Sequence, residues 1–108
     1  MFHSIDYSGT MKENYSLLNK QLSALLSVET NLIANLSNTS ALLNVFLKDI
    51  NWVGFYLLEN NDLVLGPFQG LPACIRIPLG KGVCGTAAQS AKTIIVDDVD
   101  QFPGHIAC

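Results

Sequence analysis

Charged side chains are scarce in this sequence of 108 residues. Asp, Glu, Lys and Arg make up 14% of it, whereas about 25% is usual, and the sequence has no cluster of basic residues. Because nonspecific nucleic-acid binding neutralises phosphates with Lys and Arg, we expect no nucleic-acid partner. The apolar fraction of 49% excludes a disordered chain. In so short a chain it also predicts a second subunit or further polypeptide that covers apolar surface.

Long apolar runs are missing as well. No stretch approaches the ~18 consecutive apolar residues of a membrane span. The opening residues have neither the basic region nor the apolar run of a signal peptide. We therefore expect a cytoplasmic protein with no membrane partner. In that compartment the three cysteines, Cys74, Cys84 and Cys108, would be kept reduced.

Apolar periodicity predicts two helices in the first half of the chain. Over residues 12–28 the apolar side chains recur at spacings of three and four, as on one face of a helix. They are Tyr15, Leu18, Leu22, Leu25 and Leu26. A second helical pattern covers residues 30–48. Its polar patch, residues 37–40, fits either the exposed side of one long helix or a break between two helices.

From residue 52 onward, aromatic and β-branched residues predict strands. We expect these strands at residues 52–58, 63–65, 75–79 and 93–96, with a hairpin turn at Asn60-Asn61 and Gly66-Pro67 ending the second strand. A short helix over residues 83–91 and a helical turn within 102–108 complete the pattern. Helices followed by hairpin-linked strands indicate an α+β fold, with the N-terminal helices packed on one face of an antiparallel sheet.

A glycine-rich segment follows the third predicted strand. Gly80, Gly82 and Gly85 match the G-x-G-x-x-G fingerprint of dinucleotide-binding folds, and acidic residues follow at a suitable distance. The preceding strand contains Arg76 and Pro78, however, whereas a buried parallel strand is normally a continuous apolar run. We therefore interpret the glycines as a tight turn into the next helix.

Three acidic residues lie close together after the last predicted strand. They are Asp97, Asp98 and Asp100. Too few oxygen ligands are near them in the sequence for a metal site. We interpret them as a solvated turn with an Asx-type hydrogen bond.

The three cysteines are all in the last third of the chain, and each has a setting that favours redox chemistry. Cys84 lies in the first turn of a predicted helix, where the helix dipole favours a thiolate. Cys108 follows His105 by three residues, a spacing that would bring imidazole and thiol together on a helical turn. Cys74 lies in a loop. Their residue types alone leave buried structural thiols as an alternative, while zinc is disfavoured because no C-x₂₋₄-C pair is present.

Several segments in register resemble the free methionine-(R)-sulfoxide reductases, which are single-domain enzymes of the GAF fold. The segments are NWVGFY (51–56), LGPFQG (65–70), CIRIP (74–78), GKGVCGTAA (80–88), VDDV (96–99) and FPGHIAC (102–108). The resemblance spans about residues 12–108 and includes all three cysteine positions.

The resemblance implies thiol-dependent reduction of free L-methionine (R)-sulfoxide to methionine, without a cofactor or a metal. Cys108 would be the nucleophile that becomes a sulfenic acid, and Cys74 would resolve it to a disulfide. Cys84 would be an auxiliary thiol, although helix-dipole reasoning alone favours Cys84 as the nucleophile. Thioredoxin would reduce the disulfide. Trp52 and Tyr56 would bind the substrate, with Trp52 against its methyl group.

Members of this family continue past the cysteine that matches Cys108. They add strands and acidic residues that hydrogen-bond the substrate, and these positions are not in this sequence. We therefore expect residues 1–108 to be a single GAF-like domain truncated at its C-terminus and lacking its C-terminal strands. The resemblance also implies a homodimer. The alternative function is a GAF-like module that binds a small ligand or senses redox state without catalysis.

Overall fold

The structure is a computed structural model that describes residues 6–107. Its elements are, in chain order, α1 (Met11–Ser27), α2 (Leu32–Phe46), β1 (Trp52–Glu59), β2 (Asp62–Gly70), β3 (Arg76–Pro78), α3 (Gly82–Ser90) and a 3₁₀ helix at Val99–Gln101. The three strands form one sheet in the order β1-β2-β3. The α+β fold expected from the sequence is confirmed. No helix among the described residues is long and apolar enough to cross a membrane.

The chain forms two compact units. The first unit contains the chain up to Gly54 together with Pro67–Gly70, and therefore holds α1, α2 and one end of the β1–β2 hairpin. The second unit contains Phe55–Gly66 and the chain from Leu71 onward, and therefore holds the hairpin turn, β3 and α3.

Helix α1 begins with a capping box. The Thr10 Oγ1 atom accepts a hydrogen bond from the Glu13 backbone N–H at 3.1 Å, and the Glu13 carboxylate accepts one from the Thr10 N–H at 3.0 Å. These bonds satisfy backbone donors that have no partner within the helix. They also hold the pKa of Glu13 below its ordinary value of 4.5, mainly through the backbone N–H of Thr10.

Replacement of Thr10 by alanine tests this helix start. We expect Thr10→Ala to lower the free energy of unfolding by about 1 kcal/mol, since an N-cap side chain is lost. In wild type the contribution of Glu13 is present above its ordinary pKa and is lost as the pH falls through its lowered, folded-state pKa. Urea unfolding at neutral and acidic pH measures both effects. Equal stabilities of wild type and Thr10→Ala at pH 7 would contradict the capping role.

One group of aromatic contacts in the first unit joins α1, α2 and the residues before α1. The rings of Tyr7 and Tyr15 each meet Phe46 of α2 edge to face, at centroid distances of 4.7 and 4.8 Å. The Tyr7 hydroxyl donates to the side-chain carbonyl of Gln21, a buried residue that the apolar pattern did not indicate. On the predicted apolar face Leu18 is buried, but Tyr15 remains exposed.

Helix α2 is continuous, so of the two alternatives left open for the polar patch, the break does not occur. The patch is not simply an exposed face either, because Thr39 and Ser40 are buried. Their hydroxyls donate to the carbonyls of Asn35 and Leu36, one turn earlier in the helix. The fully buried Ser40 hydroxyl also lies 3.2 Å from the Pro67 carbonyl oxygen, which fastens α2 to the end of β2 within the first unit.

The hairpin turn at residues 60–61 is confirmed, and Asn60 takes a positive φ of 56°. Strand β2 pairs antiparallel with β3, with Leu63 opposite Ile77. The predicted end of β2 at Gly66-Pro67 is wrong, since the strand continues to Gly70. The last backbone hydrogen bond from β2 toward β3 runs from the Leu65 N–H to the Ile75 carbonyl. Pro67 lies beyond this bond, so the N–H that proline lacks is not needed for pairing with β3.

Two predictions for the end of the chain differ from the structure. Residues 93–96, predicted as a strand, are irregular, and Ile95 is 89% exposed. The described part of the chain has no strand alongside them, and β-branched residues form a strand only when a neighbour can pair with them. The helical turn predicted within 102–108 is found instead at Val99–Gln101.

The buried apolar side chains among the described residues are few. They are Leu18, Leu42, Leu63 and Ile77. Large apolar side chains remain exposed on every helix-bearing segment of the first unit and on the loops of the second. The sequence has a high apolar fraction, and the described residues bury only part of the apolar surface that it provides.

Candidate active site

Cys84 is placed by the glycine-rich turn that precedes α3. Gly80 and Gly82 both have positive φ, at 82° and 64°, so the chain turns sharply into the helix, as expected from the sequence. At Gly85 a Cβ atom would lie 2.5 Å from the Pro78 carbonyl oxygen, so only glycine allows this approach of α3 to β3. Cys84 therefore lies in the first turn of α3, where it is exposed and is a free thiol. The sheet around this turn is antiparallel between β2 and β3, unlike a dinucleotide-binding sheet.

Cys74 lies in the loop of residues 71–75 that joins β2 to β3. It is half-buried and disulfide-bonded. The two neighbouring apolar residues of the loop are far more exposed, Leu71 at 80% and Ile75 at 71%. The loop position predicted for Cys74 is therefore observed. The two cysteines among the described residues differ in oxidation state, since Cys74 is in a disulfide and Cys84 is not.

Tyr56 of β1 is hydrogen-bonded to Cys74 and is influenced electrostatically by Cys84. Its hydroxyl donates a hydrogen bond of 2.7 Å to the Cys74 carbonyl oxygen. Burial, and secondly the electrostatic effect of Cys84, raise the pKa of Tyr56 above its ordinary value of 10.0. Tyr56, Cys74 and Cys84 all belong to the second unit. The sequence placed Tyr56 at the site through the family resemblance, but it contained no signal for the bond to the Cys74 backbone.

Trp52 belongs to the first unit, where it stacks on Phe68 of β2. The ring centroids are 5.4 Å apart and the planes are inclined by 17°. Two glycines border this pair closely. A Cβ atom on Gly54 would lie 2.3 Å from the Phe68 Cβ, and one on Gly70 would lie 2.8 Å from Trp52 Cδ1. Support of the Trp52 ring by Phe68 was not predicted from the sequence, although Phe68 lies within a segment that resembles the family.

Cys108, the predicted nucleophile, lies outside the described residues. His105, three residues before it, is half-buried and its backbone N–H donates to the Phe102 carbonyl at 3.1 Å. Ile106, the residue after His105, packs against the start of α3. A Cβ atom on Gly82 would lie only 3.3 Å from the Ile106 side chain.

The acidic residues after α3 form the expected turn. The Asp98 carboxylate accepts a hydrogen bond from the Asp100 backbone N–H at 3.0 Å, which is the Asx-type bond predicted from the sequence. Within residues 6–107 no group of three or more His, Cys, Asp or Glu side chains is arranged to hold a metal ion.

Comparison with known proteins gives relatives over most of this length, although no family model matches the chain. The free methionine-R-sulfoxide reductase of Escherichia coli is 57% identical over 96 residues, covering 89% of this chain and 58% of the relative. Protein YtsP of Bacillus subtilis is 56% identical over 110 residues, covering all of this chain and 68% of the relative. The chain belongs to the free methionine-R-sulfoxide reductase family.

Solved structures agree with this family and with its fold. The free methionine-R-sulfoxide reductase of Neisseria meningitidis, determined in complex with its substrate, superposes with a TM-score of 0.90 at 44% identity, covering 99% of this chain and 65% of that one. A solved GAF domain superposes equally well, at 43% identity over 99% of this chain and 67% of that one. The expected GAF fold is thereby confirmed. The reductase-family chain described here spans about three fifths to two thirds of the length of these proteins.

Proposed function

We propose that this chain carries the thiol chemistry that reduces free L-methionine (R)-sulfoxide to methionine. Family membership supports the reaction class, since the Escherichia coli relative is a free methionine-R-sulfoxide reductase. The observation that carries the proposal is the difference between the two described cysteines. Cys74, the proposed resolving residue, is disulfide-bonded, whereas Cys84 is a free thiol.

In the first proposed step the Cys108 thiolate attacks the sulfoxide sulfur while a proton is delivered to the sulfoxide oxygen. The bond formed between the two sulfurs and the sulfur–oxygen bond of the substrate then both break as the protonated oxygen transfers to the Cys108 sulfur. Methionine leaves reduced by two electrons, and the oxygen and those two oxidising equivalents stay on the cysteine as a sulfenic acid. A thiolate is required because it is the nucleophilic form of cysteine. Trp52 would pack against the methyl group of the substrate, and its stacking on Phe68 would hold the indole in place.

In the second proposed step the Cys74 thiol condenses with the sulfenic acid. A disulfide forms and one water molecule is released. Thioredoxin, a dithiol protein, would then exchange with the disulfide and return both cysteines to thiols, becoming oxidised itself. The position of Cys74 on an exposed loop supports this step, because a resolving cysteine and its reductant both need access. Cys84 would act as an auxiliary thiol. We place this cycle in the cytoplasm and in a homodimer.

An assay with separated epimers tests the proposed function. The purified chain, thioredoxin, thioredoxin reductase and NADPH are incubated with free L-methionine (R)-sulfoxide, the (S) epimer or a peptide containing methionine (R)-sulfoxide. We expect methionine to form from the free (R) epimer alone, with one NADPH consumed for each methionine. Equal rates on both epimers, or no turnover of the (R) epimer, would refute the proposal.

A further inference from the structure

The loop that carries Cys74 is short, exposed and fixed at few points. Its end is held by the bond from the Leu65 N–H to the Ile75 carbonyl, at 2.9 Å. At Cys74 itself the backbone carbonyl accepts the hydroxyl of Tyr56 at 2.7 Å. The exposed side chains of Leu71 and Ile75 supply little burial to hold the loop. The tyrosine hydroxyl is therefore a principal anchor of the backbone at the cysteine.

The anchor comes from a rigid part of the second unit. Tyr56 lies on β1, and β2 separates β1 from β3 in the sheet, so the phenol reaches past β2 to the loop that precedes β3. A strand residue is a more precise support than another loop residue would be. The raised pKa of Tyr56 keeps its hydroxyl protonated, and hence a donor, throughout the neutral and mildly alkaline range.

We propose that Tyr56 is a positioning residue for the resolving cysteine, whose hydroxyl holds the Cys74 backbone so that the Cys74 sulfur forms and keeps its disulfide. The inference rests on the proposed function in naming Cys74 as the resolving residue. Tyr56 acts here through Cys74 and not through the substrate, which separates this role from the substrate-binding role implied by the family resemblance.

The anchor affects a defined step. When Cys74 condenses with a sulfenic acid, the Cys74 thiol gives up its proton, a sulfur–sulfur bond forms, and the hydroxyl group of the sulfenic acid leaves as water. The bond forms only while the two sulfurs are held near each other, so its rate depends on how often the loop presents Cys74. Once formed, the disulfide is stabilised by every contact that the loop makes in its disulfide-bonded conformation and not in its reduced one. Loss of the anchor should therefore slow closure of the disulfide and ease its reduction.

The test compares the whole chain with Tyr56→Phe, which removes the hydroxyl and keeps the ring. Tyr7→Phe is the matched control, because the Tyr7 hydroxyl is also hydrogen-bonded but belongs to the first unit. The first measurement needs no sulfoxide. Each protein is equilibrated in dithiothreitol redox buffers, and the oxidation state of Cys74 is read by alkylation and mass spectrometry. We expect the equilibrium in Tyr56→Phe to shift about five- to tenfold toward the thiol, as for loss of one ordinary hydrogen bond. In Tyr7→Phe it should stay within about twofold of wild type.

The second measurement is a single turnover with excess free (R)-sulfoxide and no reductant. In Tyr56→Phe the disulfide that follows the first methionine should close about five- to tenfold more slowly than in wild type. A slower first step with an unchanged redox equilibrium would mean that the hydroxyl serves the substrate, and would overturn the proposal. An unchanged equilibrium and closure rate would overturn it as well. If wild type forms no methionine, the proposed function fails, but the redox equilibrium still decides the role of Tyr56.

Circular dichroism shows whether each variant folds. If Tyr56→Phe does not fold, the wild-type chain is studied instead. It is prepared with ring-labelled tyrosine, and the infrared difference spectrum between its oxidised and reduced states is recorded. A change in the tyrosine C–O stretch on reduction is expected, because the Tyr56 hydroxyl loses its bond to the Cys74 carbonyl when the loop opens. Identical tyrosine bands in both states would overturn the proposal.

Discussion

Cys108→Ser is expected to reduce turnover of free (R)-sulfoxide by on the order of 10³-fold or more, as for removal of other catalytic nucleophiles. A serine hydroxyl is hardly ionised at neutral pH and cannot store the oxygen of the substrate as a sulfenic acid. NADPH consumption coupled to thioredoxin measures the loss. Binding of methionine sulfoxide, followed by calorimetry, should persist in the variant, so that a folding defect is distinguished from a chemical one.

The other two cysteines provide the comparison for this variant. Cys74→Ser should form methionine once and then stop as a sulfenic acid, which dimedone traps and mass spectrometry detects. Cys84→Ser should lower the turnover rate less than about tenfold, because an auxiliary thiol is not essential to either step. If Cys84→Ser were instead the inactive variant, the helix-dipole argument for Cys84 would be correct and the assignment of Cys108 wrong. Ligand binding without turnover, in wild type and in Cys108→Ser alike, would favour a ligand-binding GAF module without catalysis.

Gly54→Ala is expected to be the most destabilising of the single substitutions considered, at about 3 kcal/mol or more. The added Cβ would lie 2.3 Å from the Phe68 Cβ, 2.7 Å from the Phe68 Cα and 2.9 Å from the Pro67 carbonyl oxygen. Two of these atoms are backbone and cannot move away without separating the strands. Since a whole domain is stabilised by only about 5–15 kcal/mol, much of the folded population would be lost.

Urea unfolding followed by Trp52 fluorescence measures this effect, because the indole stacks on Phe68 beside the crowded position. Gly104→Ala is the matched control. Gly104 also has no side chain, but a Cβ there would meet no atom within 4 Å, and only its φ of 79° is unfavourable for alanine. We expect the control to cost about 1 kcal/mol. Equal costs at the two glycines would show that the crowding at Gly54 is relieved by small shifts of β2.

Local features of the fold could be predicted because their causes lie within a few residues. The apolar spacing of α1, the Asn60 turn and the glycines before α3 all depend on short-range backbone preferences. The Asx bond from Asp98 is equally local. The family resemblance in turn predicts that Trp52, Tyr56 and the three cysteines serve one reaction.

Where the structure departs from the sequence prediction, a distant neighbour decides the outcome. Pro67 remains inside β2 because β3 no longer pairs with β2 at that point. Residues 93–96 have strand propensity but no strand beside them among the described residues. Ser40 is buried despite its polarity because its hydroxyl reaches both the helix backbone and the Pro67 carbonyl. Each of these outcomes depends on whether a distant segment supplies a partner, which a local pattern does not contain.

The sequence by itself determined the fold class, the family and the cysteine positions, since hydrophobic periodicity and motif spacing are written in residue order. Only the tertiary structure decided that Cys74 is disulfide-bonded while Cys84 is free. It alone placed the Tyr56 hydroxyl on the Cys74 carbonyl, 18 residues away along the chain. The physical reason is that a hydrogen bond or a disulfide requires distance and direction in space, and the packing of the sheet sets both.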